Sequence, residues 1–495
     1  MDIVNVLGLI LWPLVVSLLL VAFLNNRKAG QWINLVFHLP WIVFFINTWS
    51  LSNKAIYQGK IFPVIVNFPM LSQFKSHFSL AVDGLNLPLI GLQIFLSLIL
   101  ALYSLGKKNL GSGYLSLFSL LNAASVGSLL AEDALLFYLF WEFMLIPMFF
   151  LIGIWGSKNR AYASIKFFAF TMAASLFMLA AIVALMFKSD LNSLGWHDIA
   201  ALNLVFEGWT SFPALLFLGF LIAFLVKIPV WPLHVWLPDA HTEAPTGASV
   251  ILAGVLLKLG VYGIGRWCLA LFPQVAVQQE IVKIMLSLGV TGIILGSFSA
   301  WQQTDVKKMI AYSSVAHLGF MVIGLFSFQL SSIQGVFFQN IAHGLSTGAL
   351  FLIFGMIYDR THSREISLYS GLAETNPYLA SSFVVASLAS MGLPGLPGFV
   401  GEFLILSGLF FSSPLYSLVA LSGVLLGAAY MLKLLRSFVF GRKSELLISH
   451  PVVLSWSETA AIIPMILALV FLGFGGQFLL QKSAMPVATL LLNLR

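Results

Sequence analysis

Six ionisable side chains sit in or at the end of long apolar runs of this sequence, and their types are those that exchange protons. Glu142 lies in Phe137-Tyr-Leu-Phe-Trp-Glu-Phe-Met-Leu-Ile-Pro147, and Lys258 in Ile251-Leu-Ala-Gly-Val-Leu-Leu-Lys-Leu-Gly-Val-Tyr262. Lys227 ends one apolar run and is followed by Ile-Pro-Val-Trp-Pro-Leu-His234. His317 follows Tyr312-Ser-Ser, and Glu402 follows Leu393-Pro-Gly-Leu-Pro-Gly-Phe399. His343 is central in a run where Gln339, Asn340, His343, Ser346 and Thr347 share a helix face by i, i+3, i+4 spacing. A charge at the bilayer centre costs roughly 2.5–3.5 kcal/mol on insertion scales, so such residues are normally paired or face water. Apolar surroundings disfavour the charged form of an acid or an amine, and an opposite charge nearby restores it. A file of such groups can therefore gain and lose protons as its neighbours move.

Each residue also has a plainer reading. Glu142 and Lys227 can be a structural ion pair, and Lys258 a structural cation. The two histidines can be packing residues, because a neutral imidazole is cheap to bury. Glu402 can cap a broken helix. Lys166, Arg266 and Lys433 lie close to the ends of apolar runs, where snorkelling is the default. Glu132, Asp133, Asp239 and Asp305 read as interfacial. His234 and His241 are seven apart across a proline-rich break, a poor metal spacing, and no metal is expected. No G-x-G-x-x-G after a strand, P-loop or C-x-x-C is present, so no cofactor box is expected.

The elements that must hold these residues follow from composition. The 495 residues are 60% hydrophobic and 9% charged, with a mean hydropathy of +0.98, whereas soluble domains are roughly 25% charged. A soluble enzyme, a disordered chain and a coiled coil are excluded, and an all-α polytopic membrane protein is indicated. The one cysteine, Cys268, excludes a disulfide framework and an iron–sulfur site built from this chain alone. The +7 net charge comes without a long basic run, so a membrane explains it better than nucleic acid. At roughly 20 residues per span, about 14 spans are predicted: 3–24, 30–49, 85–105, 113–131, 134–156, 161–187, 212–229, 245–270, 281–300, 305–327, 332–358, 378–410, 415–436 and 459–480. The longest polar-leaning stretches are 50–84, 188–211, 359–377 and 437–458.

Arg27, Lys28, Lys107, Lys108, Lys158, Arg160, Lys307, Lys308, Arg360, Arg364, Arg442 and Lys443 fall on one side of that map. Lys54, Lys60, Lys75, Lys188, Lys482 and Arg495 fall on the other. The richer side is the cytoplasmic one by the positive-inside rule, which puts both termini outside. Two segments break the helical pattern alike, with prolines three apart at Pro229/Pro232 and Pro394/Pro397. Freed backbone is tolerated in a membrane only against protein or a wet cavity. The breaks fall five spans apart, so the two units have opposite topology, as in an inverted repeat with a transport path between its halves. The expected organisation is helices 1–3 over residues 1–110, one five-helix repeat over 111–272 (helices 4–8), its inverted copy over 273–440 (helices 9–13), and a last helix and tail over 441–495.

Spacing and composition lead to a proton or cation transporter, and four motifs lead further. Phe140-Trp-Glu-Phe-Met-Leu-Ile-Pro147, Lys227-Ile-Pro-Val-Trp-Pro-Leu-His-Val-Trp-Leu-Pro-Asp-Ala-His241, Glu243-Ala-Pro-Thr-Gly-Ala-Ser249 and Asp305-Val-Lys-Lys-Met-Ile-Ala-Tyr-Ser-Ser314 closely resemble the antiporter-like subunits of respiratory complex I. Ile341-Ala-His-Gly-Leu-Ser346 and Phe399-Val-Gly-Glu-Phe403 are most similar to the M type of the bacterial NADH–quinone oxidoreductases. In the sister L and N types the position of Glu402 is usually lysine. The absence of a long lateral helix after the last span argues against L.

The resemblance implies a proton-translocating membrane-arm subunit whose pathway is Glu142, Lys227, Lys258, His317, His343 and Glu402, with Lys166 as an auxiliary. It implies that the Glu142–Lys227 pair opens and closes and so changes the proton affinity of Lys258, and that protons pass His317 and His343 toward Glu402. It further implies that NADH, FMN, iron–sulfur clusters and quinone are bound by other subunits, that this chain has no redox centre, and that its partners are the sister subunits L and N and lipids. The expected location is the bacterial inner membrane. A subunit of a multisubunit cation–proton antiporter is the alternative.

Overall fold

Long apolar runs in a chain this poor in charge leave the backbone one way to satisfy its polar groups in lipid, the helix. The computed structural model describes residues 2–24, 26–57, 62–108, 110–188, 191–202 and 204–494. Lys60 and Arg495 lie outside the described residues. Among those described, 12 helices are long and apolar enough to cross a membrane. Three shorter apolar helices, Phe212–Lys227, Pro377–Ser390 and Pro397–Ser412, flank the two proline-rich segments. The two most enclosed are Thr246–Leu269, fully buried over its apolar window, and the 32-residue Leu330–Thr361. At 1.5 Å per residue the latter is about 48 Å long, well beyond a hydrocarbon core of roughly 30 Å.

Both breaks stand where the prolines put them. The helix Phe212–Lys227 stops at Lys227 and resumes as Leu237–Glu243. Pro229 has no N–H for the carbonyl of Leu225, which takes the Val230 N–H at 3.1 Å instead, and the carbonyl of Val226 so left over accepts the indole N–H of Trp236 at 3.0 Å. The second break lies between Pro377–Ser390 and Pro397–Ser412. There Gly392 and Gly395 take φ of +76° and +92°, conformations that side chains resist, and Pro397 opens the next helix.

Several elements lie outside the predicted map. Within 50–84 the strands Val64–Leu71 and Ser76–Ala81 pair antiparallel, with Phe68 opposite Phe78. The tail after the last span is a 17-residue helix, Gln477–Asn493. Two π-helical stretches, Leu252–Leu256 and Ile264–Leu269, bracket the segment Leu257–Gly263 that carries Lys258.

Contacts gather the richer set of Lys and Arg on one face. Arg27 donates to the carbonyl of Lys108, Lys107 and Arg360 share Glu458, and Arg364 reaches Glu243 and Asp305. On the opposite face Lys75 donates to the carbonyl of Lys188, and the hairpin docks there on Asp133 through Ser76 and the His77 N–H.

Candidate functional site

Four of the six residues form one buried chain. Lys258, on the bracketed segment, places Nζ 2.8 Å from Nδ1 of His343 on the long helix. The same amino group donates to the carbonyl of Ala253, five residues back, which the widened π turn leaves within its reach. The His343 ring stands 5.2 Å, centroid to centroid, from the ring of His317 on Val306–Leu325. His317 Nδ1 is 2.7 Å from Oε1 of Glu402, on the helix that follows the second break. Gln339 donates to the same oxygen at 3.1 Å. All four ionisable members are 5% exposed or less. The shared face predicted for the long helix is real, for Gln339 and His343 lie in the chain and Asn340 and Thr347 beside it are buried without hydrogen-bond partners.

Glu142 and Lys227 are not joined to this chain, nor to each other. No ion pair links them, and neither Lys227 Nζ nor Glu142 Oε1 has a hydrogen-bond partner. Lys227 is buried against the faces of Trp141 and Phe167, 5.1 and 5.9 Å from the ring centroids, so its charge rests on ring quadrupoles. Glu142 is half-buried beside Ser175, with Lys227 as the cation in its electrostatic range. The helix is interrupted at Met144, three residues before Pro147. Glu142 stands on its outer edge, next to the exposed Leu139, Phe143 and Ile146. A closed pair is therefore replaced by an open one.

Lys166 does not snorkel freely. Its Nζ is 2.6 Å from Oδ2 of Asp239, a residue read as merely interfacial. Arg266 also departs from the snorkelling default, being buried in an ion pair with Asp83 and stacked 3.9 Å from the centroid of Phe62. Lys433 keeps to it, donating to the carbonyl of Trp301 at an exposed position.

His241, whose spacing from His234 carries no metal signal, is a buried group in its own right. Its ring is fully buried, stacked on Phe351 at 4.6 Å and 10°, and neither nitrogen has a partner. It lies in the field of both Lys258 and Lys307. Lys307, itself buried, donates to the carbonyl of Ala244 at 2.8 Å and lines a cavity of about 680 Å³ with Glu243, Tyr103, Tyr358 and Asp359. The signal available in the sequence was a histidine within the proline-broken segment, seven residues after the first.

Glu243, the last residue of the short helix Leu237–Glu243, receives Ser157 Oγ at 2.5 Å and the Asn159 N–H at 2.9 Å, with Arg364 at 3.5 Å. Burial pushes its carboxyl up, but these three partners outweigh it and hold the group below its ordinary value.

Residues 131–427 match a family model described as NADH:quinone oxidoreductase/Mrp antiporter, TM. The chain is 37% identical over 489 residues to NADH-quinone oxidoreductase subunit M of Rickettsia conorii, 97% of each protein. It is 44% identical over 372 residues to the subunit M of Rhodobacter capsulatus, 74% of this chain and 72% of that one. To the Escherichia coli subunit M it is 37% identical over 470 residues, 92% and 91%. Among solved structures it is similar to a chain of respiratory complex I from Thermus thermophilus with bound NADH, with a TM-score of 0.87, 28% identity and full coverage of both chains. It shares its fold with a chain of the Mrp complex from Dietzia sp., with a TM-score of 0.84, 19% identity, and 99% and 97% coverage.

Proposed function

The chain belongs to the NADH:quinone oxidoreductase/Mrp antiporter transmembrane family, and from that premise we propose that it is the M-type proton-translocating membrane-arm subunit of a bacterial NADH:quinone oxidoreductase. The observation that carries the reading is the buried sequence Lys258, His343, His317, Glu402, in which each group stands within hydrogen-bond or ring-contact distance of the next. A proton arriving at Lys258 has His343 as its next acceptor. Rotation of the imidazoles hands it on to His317 and Glu402. The open Glu142–Lys227 pair is one state of a switch. Closing it withdraws the Lys227 charge from the rings, and the field at Lys258 changes with it. Lys166, held by Asp239, adds a fixed cation near this switch.

The same reading assigns 14 spans, by counting each broken helix once with the 12 long ones. Its domains are helices 1–3 over 1–110, inverted repeats over 111–272 and 273–440, and a last helix and tail over 441–495. The Lys/Arg-rich face is cytoplasmic, the membrane is the bacterial inner one, and both termini are periplasmic. Sister subunits L and N cover the flanks, one of which is the exposed stripe beside Glu142. NADH, FMN, iron–sulfur clusters and quinone belong to other subunits, and this chain contributes no redox chemistry. A cation–proton antiporter subunit shares this fold, and co-purification with NADH-dehydrogenase subunits separates the two.

The test is Lys258→Arg beside Lys258→Ala in membrane vesicles. Arginine keeps charge and reach but does not release its proton at accessible pH. Both variants should assemble and lose proton pumping together with quinone reduction. Full pumping by the arginine variant overturns the relay.

A further inference from the structure

We propose that the Lys/Arg-rich face carries a binding site for an anionic diacyl phospholipid, in the furrow between the span Arg27–Asn53 and the helix Trp456–Gly475. The furrow opens on a cavity of about 640 Å³ whose lining includes five cations, Arg27, Lys28, Lys107, Lys108 and Arg360, against one carboxylate, Glu458. Glu458 is already taken. It receives Arg360 at 2.7 Å and Lys107 at 2.8 Å, and Lys107 is shared with Asp359. Arg27, Lys28 and Lys108 are left with no carboxylate partner among the described residues.

The three free cations stand on a fixed frame. Gln31 donates to the carbonyls of Lys107 and Leu110, both at 3.0 Å, and accepts from the Gly106 N–H at 3.2 Å. Arg27 spends one guanidinium nitrogen on the carbonyl of Lys108, while its Nε is buried and unpartnered. Arg27 and Lys28 also open the ten-residue helix Arg27–Val36, where the dipole adds to their positive potential. Such a concentration is unfavourable unless an anion answers it, and a basic pocket between spanning helices at the inner face suits a phospholipid headgroup.

The surroundings select a lipid over a free anion. Trp32 and Trp456 stand on the rim at 53% and 64% exposure, at headgroup level, where indole rings settle. From Trp32 the exposed residues Val36, Leu39 and Val43 continue one lipid-facing stripe. It is about 17 Å long, close to the half of a roughly 30 Å core that one leaflet's acyl chain spans. Ile463 and Leu467 on the other helix face the same lipid layer. The site is independent of the proton-relay reading.

The test uses the whole assembled complex, reconstituted in phosphatidylcholine nanodiscs with a trace of phosphatidylglycerol carrying a photoreactive acyl chain. Label should fall on residues 32–43 or 456–467. Unlabelled phosphatidylglycerol or cardiolipin should displace it, and added phosphatidylcholine should not. The variant Arg27→Gln/Lys28→Gln/Lys108→Gln, checked for assembly on native gels, should lose label by at least about tenfold. If that variant fails to assemble, the competition on the unmodified complex decides alone. Equal labelling by a photoreactive phosphatidylcholine, or unchanged labelling in an assembled triple variant, overturns the proposal. So does displacement by inorganic phosphate as effective as that by phosphatidylglycerol, because the site is then one for a free anion.

Discussion

At the scale of single residues, Glu142 and Lys227 show how charge survives where lipid or apolar protein surrounds it. Each has a different shelter. Lys227 leans on two aromatic faces, and Glu142 sits at an edge beside Ser175. Neither arrangement neutralises its charge, so the pair can be poised between two states of similar free energy. Glu142→Gln keeps the volume and removes the charge. It should leave the complex assembled and lower proton uptake and quinone reduction together by at least about tenfold, the weight of a positioned proton-exchanging group. NADH oxidation by an artificial acceptor should survive. Glu142→Gln with Tyr138→Glu returns a carboxylate one turn away on the same helix, and partial recovery is expected. Vesicle assays with native gels decide, and a Glu142→Gln complex that pumps normally makes Glu142 a structural residue only. These residues were legible because a charge inside an apolar run is costly wherever it occurs. Asp83 and Asp239 were not, because each lies in or beside a polar-leaning or proline-broken stretch where an acid is unremarkable. Only the fold reveals their partners Arg266 and Lys166.

At the scale of elements, the two breaks position the chemistry, and the second does so through glycine. A Cβ on Gly392 meets the carboxylate oxygen of Glu402 at 3.3 Å, whereas one on Gly395 meets the Phe474 ring at 3.4 Å. Both residues have positive φ, so each alanine substitution carries similar backbone strain, about 1–2 kcal/mol. Gly392→Ala should lower proton pumping as well as stability, and Gly395→Ala stability alone. Equal pumping losses in both contradict a specific contact with Glu402.

The first break is tied down by Glu243, and here pH has a readable sign. Its carboxyl is held below its ordinary value of 4.5, so the stabilisation is complete above that value and is lost as pH falls through the lower folded one. The protection of residues 156–159 against hydrogen exchange, taken relative to the intrinsic rate at each pH, should fall on acidification below about 4.5, and Glu243→Gln should flatten that dependence. An unchanged profile in the variant assigns the effect to another group. The breaks were legible from paired prolines. The π turns around Lys258 were not, since Leu-Ala-Gly-Val-Leu fits an α-helix equally well and packing selects the wider turn. The hairpin escaped because two short strands inside a mixed stretch give little period-two signal.

At the scale of the whole molecule, the Lys/Arg count did more than give an orientation. It sorted the loops into two groups, and the contacts join members of each group to one another on opposite faces, Arg27 with Lys108 on one and Lys75 with Lys188 on the other. An even number of crossings follows for every chain segment between loops of like face. The inner assignment of the richer face is tested by labelling. The only native thiol, Cys268, is buried, so a Cys268→Ser background gives single reporters at the exposed positions Lys158, Lys443 and Asn192. A membrane-impermeant thiol reagent applied to intact cells should label Asn192→Cys and spare Lys158→Cys and Lys443→Cys, and permeabilised cells should give all three. Labelling of Lys158→Cys and Asn192→Cys from the same side rejects the map itself. Labelling of Lys158→Cys and Lys443→Cys alone in intact cells keeps the map and inverts it, which moves the cation-rich furrow and the cavity beside Lys307 to the outer face. The direction of the proposed proton path along Lys258–Glu402 depends on that outcome, because the cavity lined by Lys307 lies on the Lys/Arg-rich face, and His241 stands in the electrostatic range of both Lys307 and Lys258.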